Sequence, residues 1–225
     1  MKPKFINESI ESYLEPKSEK EIINSLSNLS KEELNMKLID AAKTYKINIA
    51  KYLIKAGADN NYRDQYGFTA LHHASSHGNT QIVKMLLDKG ADVNDETFAK
   101  RTPLHFASYN NSVSIVKMLI KAEANISCKD YNGCTALHEA SMQGHTSVLK
   151  MLIHTGADVN TKDNSGWTAL HFASLKGRLP IVFMLINAGA DINIKSNYGY
   201  SALYCALDNG NTQVAKLLKS YGAKE

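Results

Sequence analysis

The sequence predicts an all-α fold built from repeated helix-turn-helix units. The strings TALHHA, TPLHFA, TALHEA, TALHFA and SALYCA begin at residues 69, 102, 135, 168 and 201, which are 33 residues apart. A second series of glycines keeps the same spacing, with Glu123 standing in the one missing place: Gly57, Gly90, Gly156, Gly189 and Gly222. Each interval also holds two short apolar patterns of helical period. No interval can bury its own apolar face, so neighbouring units must stack.

The first helix of each unit is predicted to begin after a hydroxyl residue. A threonine or serine in this place can accept a hydrogen bond from a backbone N–H of the first helical turn. These residues are Thr69, Thr102, Thr135, Thr168 and Ser201. Pro103 follows Thr102 at the first helical position, where its missing N–H costs nothing.

A left-handed residue is predicted to end the first helix, and a second amphipathic helix follows. Glycine suits that conformation and asparagine is the next-best choice. The residues concerned are Gly78, Asn111, Gly144, Gly177 and Gly210. After each of them, apolar residues recur at helical spacing, as in Ile82, Val83, Leu86 and Leu87.

The start of the chain is predicted to form a helical cap over residues 1–30. Ser18 to Glu21 and Ser30 to Glu33 both match the capping-box pattern. We expect a helix over residues 18–29 that covers the first repeat. A weaker helical pattern lies in residues 1–16 and ends at Pro16.

These motifs resemble those of ankyrin-repeat proteins, whose units read roughly D-x-x-G-x-T-P-L-H-x-A, then G-x-x-x-I-V-x-x-L-L-x-x-G-A-D-V-N. The resemblance covers residues 31–225, in units 31–63, 64–96, 97–129, 130–162, 163–195 and 196–225. It implies an ankyrin-repeat α-solenoid whose units are joined by β-hairpin-like turns. It also implies a concave partner-binding surface, formed by the turn tips and the first helices.

Composition narrows the functional classes. The net charge of +4 is too small to indicate a nucleic-acid or membrane surface. The longest apolar run spans only residues 181–186, and no signal sequence is evident at the start. Three cysteines do not make a disulfide framework, so we expect an intracellular, cytoplasmic protein.

The recurring histidines do not predict a metal site. His72, His105, His138 and His171 are one repeat apart, roughly 10 Å, which is too far to share an ion bound at about 2.1 Å. We expect each to bond to the backbone of its own turn. Phosphate-binding loops and catalytic signatures are absent from the sequence, so we expect neither an enzyme nor a cofactor. Cys134 falls in a turn and is expected to be an accessible thiol.

The variable turn and first-helix positions are rich in aromatic residues, which binding surfaces favour. We expect most of them to contact a partner and some to pack against neighbouring turns. The predicted partner-binding residues are Tyr66, Phe68, Phe98, Arg101, Tyr109, Tyr131, Met142, Trp167, Leu175, Tyr198 and Tyr200. Lys129, Lys162 and Lys195 form a row beside the turns, where we expect a solvated rim that steers an acidic partner.

The unit 97–129 departs most from the repeat pattern. Thr97 replaces the usual aspartate, Lys100 the turn glycine and Glu123 the glycine after the second helix. A side chain on a left-handed residue costs on the order of 1 kcal/mol. We therefore expect this unit to be the least stable of the array and to open first, or to have a locally reshaped turn.

The predicted function is that of a non-enzymatic scaffold, adaptor or inhibitor, acting as a monomer that binds a protein with an apolar and acidic surface. An alternative is an effector that an intracellular bacterium or parasite delivers into a host cell. That alternative rests on the lysine-rich composition, 23 lysines against three arginines. Nucleic-acid binding and ligand sensing are further alternatives; the former would require affinity that falls steeply with salt.

Overall fold

The computed structural model of the protein describes residues 18–224. The fold divides into two compact units, one ending at Asp92 and the other beginning at Val93. The helical pattern predicted for residues 1–16 lies outside the described residues. The division into a cap over 1–30 and a repeat domain over 31–225 stays a prediction.

The described part of the first unit, residues 18–92, contains five helices. They are α1 (Glu19–Leu26), α2 (Lys31–Lys43), α3 (Ile47–Lys55), α4 (Ala70–His77) and α5 (Thr80–Asp88). Helix α2 packs against α3 and α4, and α3 packs against α5, so helices of corresponding position lie together. The buried centre includes Leu38, Leu53, Leu71, Ile82 and Leu86.

Helix α1 packs against α3 and begins as predicted. Ser18 and Glu21 form a complete capping box, and so do Ser30 and Glu33 at the start of α2. Helix α1 ends at Leu26, three residues earlier than predicted, because the chain turns there: the Leu29 N–H donates to the Leu26 carbonyl, three residues back, at 3.0 Å. The Glu19 carboxylate pairs with Lys51 at 3.7 Å and with Lys55, tying α1 to α3.

The second unit contains eight helices. They are α6 (Pro103–Tyr109), α7 (Val113–Lys121), α8 (Ala136–Gln143), α9 (Thr146–His154), α10 (Ala169–Leu175), α11 (Leu179–Asn187), α12 (Ala202–Asp208) and α13 (Thr212–Ser220). First helices pack on first helices, in the order α6, α8, α10 and α12. Second helices follow in the same way, in the order α7, α9, α11 and α13. This is the stacking that the 33-residue period predicts.

Small residues allow the first helices to approach one another. Ala107, Ala140, Ala173 and Ala206 are fully buried, beside the buried leucines Leu104, Leu137, Leu170 and Leu203. All five predicted hydroxyl residues occupy the N-cap position, which confirms the helix starts. Asn111 is left-handed with φ of 57°, and Gly144 ends α8 with φ of 87°.

The turns between units are hairpin-like without forming a sheet. Across residues 18–224 the β-type pairing is a single antiparallel bridge between Lys195 and Ser201. The other turns close through backbone hydrogen bonds, such as that from the Asp130 N–H to the Cys134 carbonyl at 2.8 Å.

Candidate functional site

A carboxylate shapes the inside of most turns. In one turn, Asp130 Oδ1 accepts hydrogen bonds from the N–H groups of Asn132 and Cys134, each at 2.9 Å. Asp163 Oδ1 holds the next turn in the same way, through Ser165 at 2.9 Å and Trp167 at 2.7 Å. Because the carboxylate satisfies the inner N–H groups, the tip residues are free to project outward.

Within residues 93–224, backbone hydrogen bonds join successive turn tips. The N–H of Tyr131 donates to the Ala99 carbonyl at 2.9 Å. The N–H of Asn164 donates to the Asn132 carbonyl, and that of Asn197 to the Ser165 carbonyl, both at 3.0 Å. These bonds hold the tips at a constant spacing, so the backbone that carries the tip side chains is already ordered.

Six of the predicted partner-binding residues have exposed side chains. The exposed fractions are 63% for Tyr66, 70% for Phe98, 44% for Tyr109, 73% for Tyr131, 69% for Tyr198 and 40% for Tyr200. Tyr66 lies in the first compact unit and the other five in the second. Phe98 and Tyr131 occupy the same position in successive turns, one repeat apart.

The other five predicted residues are half-buried: Phe68, Arg101, Met142, Trp167 and Leu175. The Phe68 ring stacks on His73 with centroids 4.9 Å apart. The Trp167 ring lies 5.2 Å from that of Phe172. Phe68 and Trp167 are therefore half-buried rings that pack on the first helix of their own repeat.

Arg101 makes an ion pair with a residue that the sequence did not single out. Its Nη2 lies 2.5 Å from Oε1 of Glu139, and its guanidinium lies 4.6 Å from the Phe106 ring centre and 5.8 Å from that of Tyr109. Burial raises the pKa of the Glu139 carboxyl, and the nearby Arg101 charge acts in the opposite direction. Phe106 and Phe172 occupy the same repeat position as Glu139, so the break in this apolar series was the available signal.

Tyrosines cluster in the last repeat. The Tyr200 ring lies 6.3 Å from that of Tyr198 and stacks on that of Tyr204 at 4.6 Å. Tyr204 is 45% exposed and was not predicted. It stands where earlier units have the histidine of the T-x-L-H motif, and that substitution was the signal for it.

The motif histidines link neighbouring units. Nδ1 of His138 accepts a hydrogen bond from the Thr135 N–H at 3.0 Å, which confirms the predicted bond to its own turn. Its Nε2 donates to the Thr161 carbonyl of the same repeat unit at 3.1 Å. Nε2 of His105 reaches the Cys134 carbonyl, and that of His171 the Tyr200 carbonyl, both at 3.0 Å in the following turn. The sequence did not predict these Nε2 bonds.

The histidines are held as neutral rings. Burial is the main reason that the pKa values of His105, His138 and His171 lie below the usual range. Within the part of the chain that the structure describes, no group of three His, Cys, Asp or Glu side chains is placed to hold a metal ion.

The expectation of an accessible thiol at Cys134 is wrong. The Cys134 side chain is buried, because its turn packs on the preceding repeat, where the buried His105 donates from Nε2 to the Cys134 carbonyl. Burial, with smaller contributions from nearby carboxylates, raises its pKa to about 12. Burial likewise raises the pKa of Cys205 to about 11, so neither thiol is activated as a nucleophile.

Part of the lysine row has a structural role. Lys129 Nζ donates to the carbonyl of Lys162 at 2.8 Å, and Lys162 Nζ lies 3.5 Å from the carbonyl of Lys195. These side chains bridge successive units and remain exposed. The row therefore combines a contact between repeats with a positive surface beside the turn tips.

The comparisons agree with this architecture. A family model for ankyrin repeats, describing three copies of the repeat, matches residues 17–97, 95–163 and 156–225. A comparison with curated proteins found no significant match. None of the helices between residues 18 and 224 is long and apolar enough to cross a bilayer. Since the matched segments run from residue 17 to residue 225, the chain belongs to the ankyrin-repeat family.

Proposed function

We propose that this chain is a non-enzymatic scaffold, adaptor or inhibitor that binds a partner protein through its turn tips and first helices. Ankyrin repeats generally serve as protein–protein interaction modules. The observation that carries the proposal is the set of aromatic rings exposed on hydrogen-bonded turn tips, above all Phe98, Tyr131 and Tyr198.

Exposed rings of this kind are suited to binding. Each is roughly 70% exposed and would lose a large apolar area to a partner. The backbone ladder already orders the tips, so little further entropy is lost when the rings are covered. A ring that only completed the fold would be buried, as that of Phe106 is.

The charges around these rings support a partner whose apolar patch is bordered by acidic residues. Lys100, Lys129, Lys162 and Lys195 are all exposed beside the turns of the second unit. Charges at a rim accelerate association and favour partners of opposite sign. In the first unit, Tyr66 supplies an exposed ring of the same kind. We propose that the protein is a monomer and that it acts by occupying a surface of its partner.

The test is comparative capture from a lysate of the source cells or their host. The variant Phe98→Ser/Tyr198→Ser removes two exposed rings, and Phe183→Ser is the matched control because Phe183 is a 46% exposed ring on α11. We expect proteins captured by the wild type and the control to be lost or reduced more than tenfold with the double variant. Purified partner should then show the same difference in calorimetry. Equal capture by all three proteins would overturn the proposal.

A further inference from the structure

A groove lies between turn tips of the second unit, on one side of Tyr131. Its volume is about 470 Å³, and it is lined by Lys100, Lys129, Asp130, Tyr131, Gly133 and Asn164. The groove is open to solvent and contains two ammonium groups, an aromatic ring and a side-chain amide. The groove exists because two neighbouring turns both depart from the repeat pattern at the positions that face each other.

In the two following steps of the stack, a glycine and an asparagine fill the space between turns. A Cβ atom on Gly133 would lie 2.5 Å from Asn164 Oδ1, and one on Gly166 would lie 2.5 Å from Asn197 Oδ1. The Asn164 amide also donates to the Tyr131 carbonyl at 2.9 Å. Each asparagine side chain therefore folds back over the preceding glycine, which must lack a side chain.

One repeat earlier in the stack, both the glycine and the asparagine of this pair are replaced. Lys100 stands in the glycine position with φ of 57°, and Tyr131 stands in the asparagine position. The backbone bond from Tyr131 to Ala99 is kept at 2.9 Å. The Tyr131 ring points into solvent, since it is 73% exposed, so no side chain folds back at this step as the asparagines do. The space between these turns is bordered by Lys100 and Tyr131 instead.

Lys100 occupies this place at a cost. A non-glycine residue in the left-handed region is disfavoured relative to glycine, because its Cβ atom crowds the adjacent carbonyl oxygen. Backbone strain of this kind concentrates at functional sites. Here the strained residue is the one that brings a second ammonium group to the groove beside Lys129.

The charges of the groove favour an anion. Lys129 Nζ donates to the Lys162 carbonyl, and an ammonium group has three donors, so two remain for a ligand. Asp130 also lines the groove, but its Oδ1 is engaged by two backbone N–H groups. Two positive charges against one negative leave the groove net positive.

We infer that this groove receives a glutamate or aspartate side chain of the partner protein, with Tyr131 covering the adjacent apolar residue. The inference rests on the proposed function, because it places one residue of the same partner surface. The lysines supply charge-assisted hydrogen bonds to the carboxylate. The ring and the Asn164 amide border the position that the peptide backbone would take.

The probe is a five-residue peptide with both ends blocked, containing one glutamate between leucines, and the same peptide with glutamine in its place. Binding is followed by amide chemical shifts of the labelled full chain. We expect the glutamate peptide to shift the signals of Lys100, Tyr131 and Asn164 and to bind about fivefold more tightly than the glutamine peptide, the upper end for an exposed ion pair. Equal affinities would overturn the inference.

The variant Lys100→Gly separates a binding role from sequence drift. It restores the favoured residue, so the melting temperature should rise by about 2–4 °C. The affinity for the glutamate peptide should fall about threefold to fivefold if the ammonium group binds the carboxylate. Glu123→Gly is the matched control, because Glu123 is also left-handed, with φ of 64°, and does not line the groove. This variant should raise the melting temperature without lowering the affinity for the glutamate peptide.

The outcomes separate this inference from the proposed function. If Lys100→Gly is more stable and binds the glutamate peptide as tightly as the wild type, the groove assignment is overturned, whatever the capture experiment shows. The double variant at Phe98 and Tyr198 leaves the groove residues in place. Unchanged capture by that variant, together with discrimination between the two peptides, would overturn the proposed function alone.

Discussion

A single histidine side chain makes two hydrogen bonds to the backbone, one at the start of the first helix and one near the end of the repeat. In His138, Nδ1 accepts from the Thr135 N–H and Nε2 donates to the Thr161 carbonyl. The ring is almost fully buried, with 1% of its surface exposed. Thr135 is buried as well, so no water can replace the ring at its N–H.

Replacing His138 with leucine should destabilise the protein strongly. The Thr135 N–H and the Thr161 carbonyl would lose a partner, and an unsatisfied buried group costs about 1–3 kcal/mol. We expect the free energy of unfolding in urea at pH 7 to fall by about 2–4 kcal/mol. His154→Leu, at an exposed position on α9, is the control and should change it by less than about 0.5 kcal/mol. Similar losses in both variants would contradict this role.

At the scale of one repeat, the unit 97–129 combines several unfavourable features. Lys100, Asn111 and Glu123 all adopt left-handed backbone without being glycine. A further difference appears between this unit and the next. Asn94, Asn160 and Asn193 each accept an N–H from the following unit through Oδ1, at 2.7, 2.8 and 3.0 Å respectively. Ser127 stands in the same repeat position, and its shorter side chain cannot reach as far.

We expect hydrogen exchange to be fastest in helices and turns of residues 97–125, because this unit has the least favourable local backbone. Glu123→Gly should slow that exchange and raise the free energy of unfolding by about 1 kcal/mol, since glycine adopts this conformation without penalty. The measurement is exchange by mass spectrometry on both proteins. Uniform protection across the repeats, or no change in the variant, would count against the prediction.

Over the whole molecule, the buried histidines make stability depend on pH. Burial is the first cause that lowers the pKa values of His73, His105, His138 and His171 in the folded chain. The unfolded chain, with a histidine pKa near 6.5, therefore binds more protons below that pH. The contribution of these histidines to the free energy of unfolding is therefore fully present above about pH 6.5 and is lost as the pH falls below that value.

We expect the urea midpoint to be constant from pH 8 to pH 7 and to fall between pH 6.5 and pH 5. Each neutral histidine contributes at most about 1.4 kcal/mol per pH unit to the slope. His138→Leu should show a shallower slope than the wild type, because one such histidine is removed. A midpoint that stays flat down to pH 5 would exclude this explanation. Most carboxyl groups titrate below about pH 5. Burial raises the pKa of Glu139, and a raised carboxyl pKa favours the folded chain as the pH falls, so Glu139 does not account for the expected loss.

The sequence predicted the repeat architecture well because its determinants are local. N-cap hydroxyls, left-handed positions and apolar spacing act within one unit, so Thr135, Gly144 and Leu86 could each be interpreted in isolation. Side chains whose surroundings lie in other elements were harder to place. Cys134 seemed accessible in its turn and is buried, and Glu139 was overlooked although it pairs with Arg101 from the preceding unit.

The sequence by itself determined the period, the helix starts, the buried leucines and alanines and the candidate aromatic set. Tertiary structure alone decided which of those rings face solvent, since Trp167 packs on Phe172 whereas Tyr131 extends outward. It also decided that Lys100 and Tyr131 open a groove. The physical reason is that exposure depends on atoms contributed by another helix or another repeat. A pattern within one unit contains no information on those atoms.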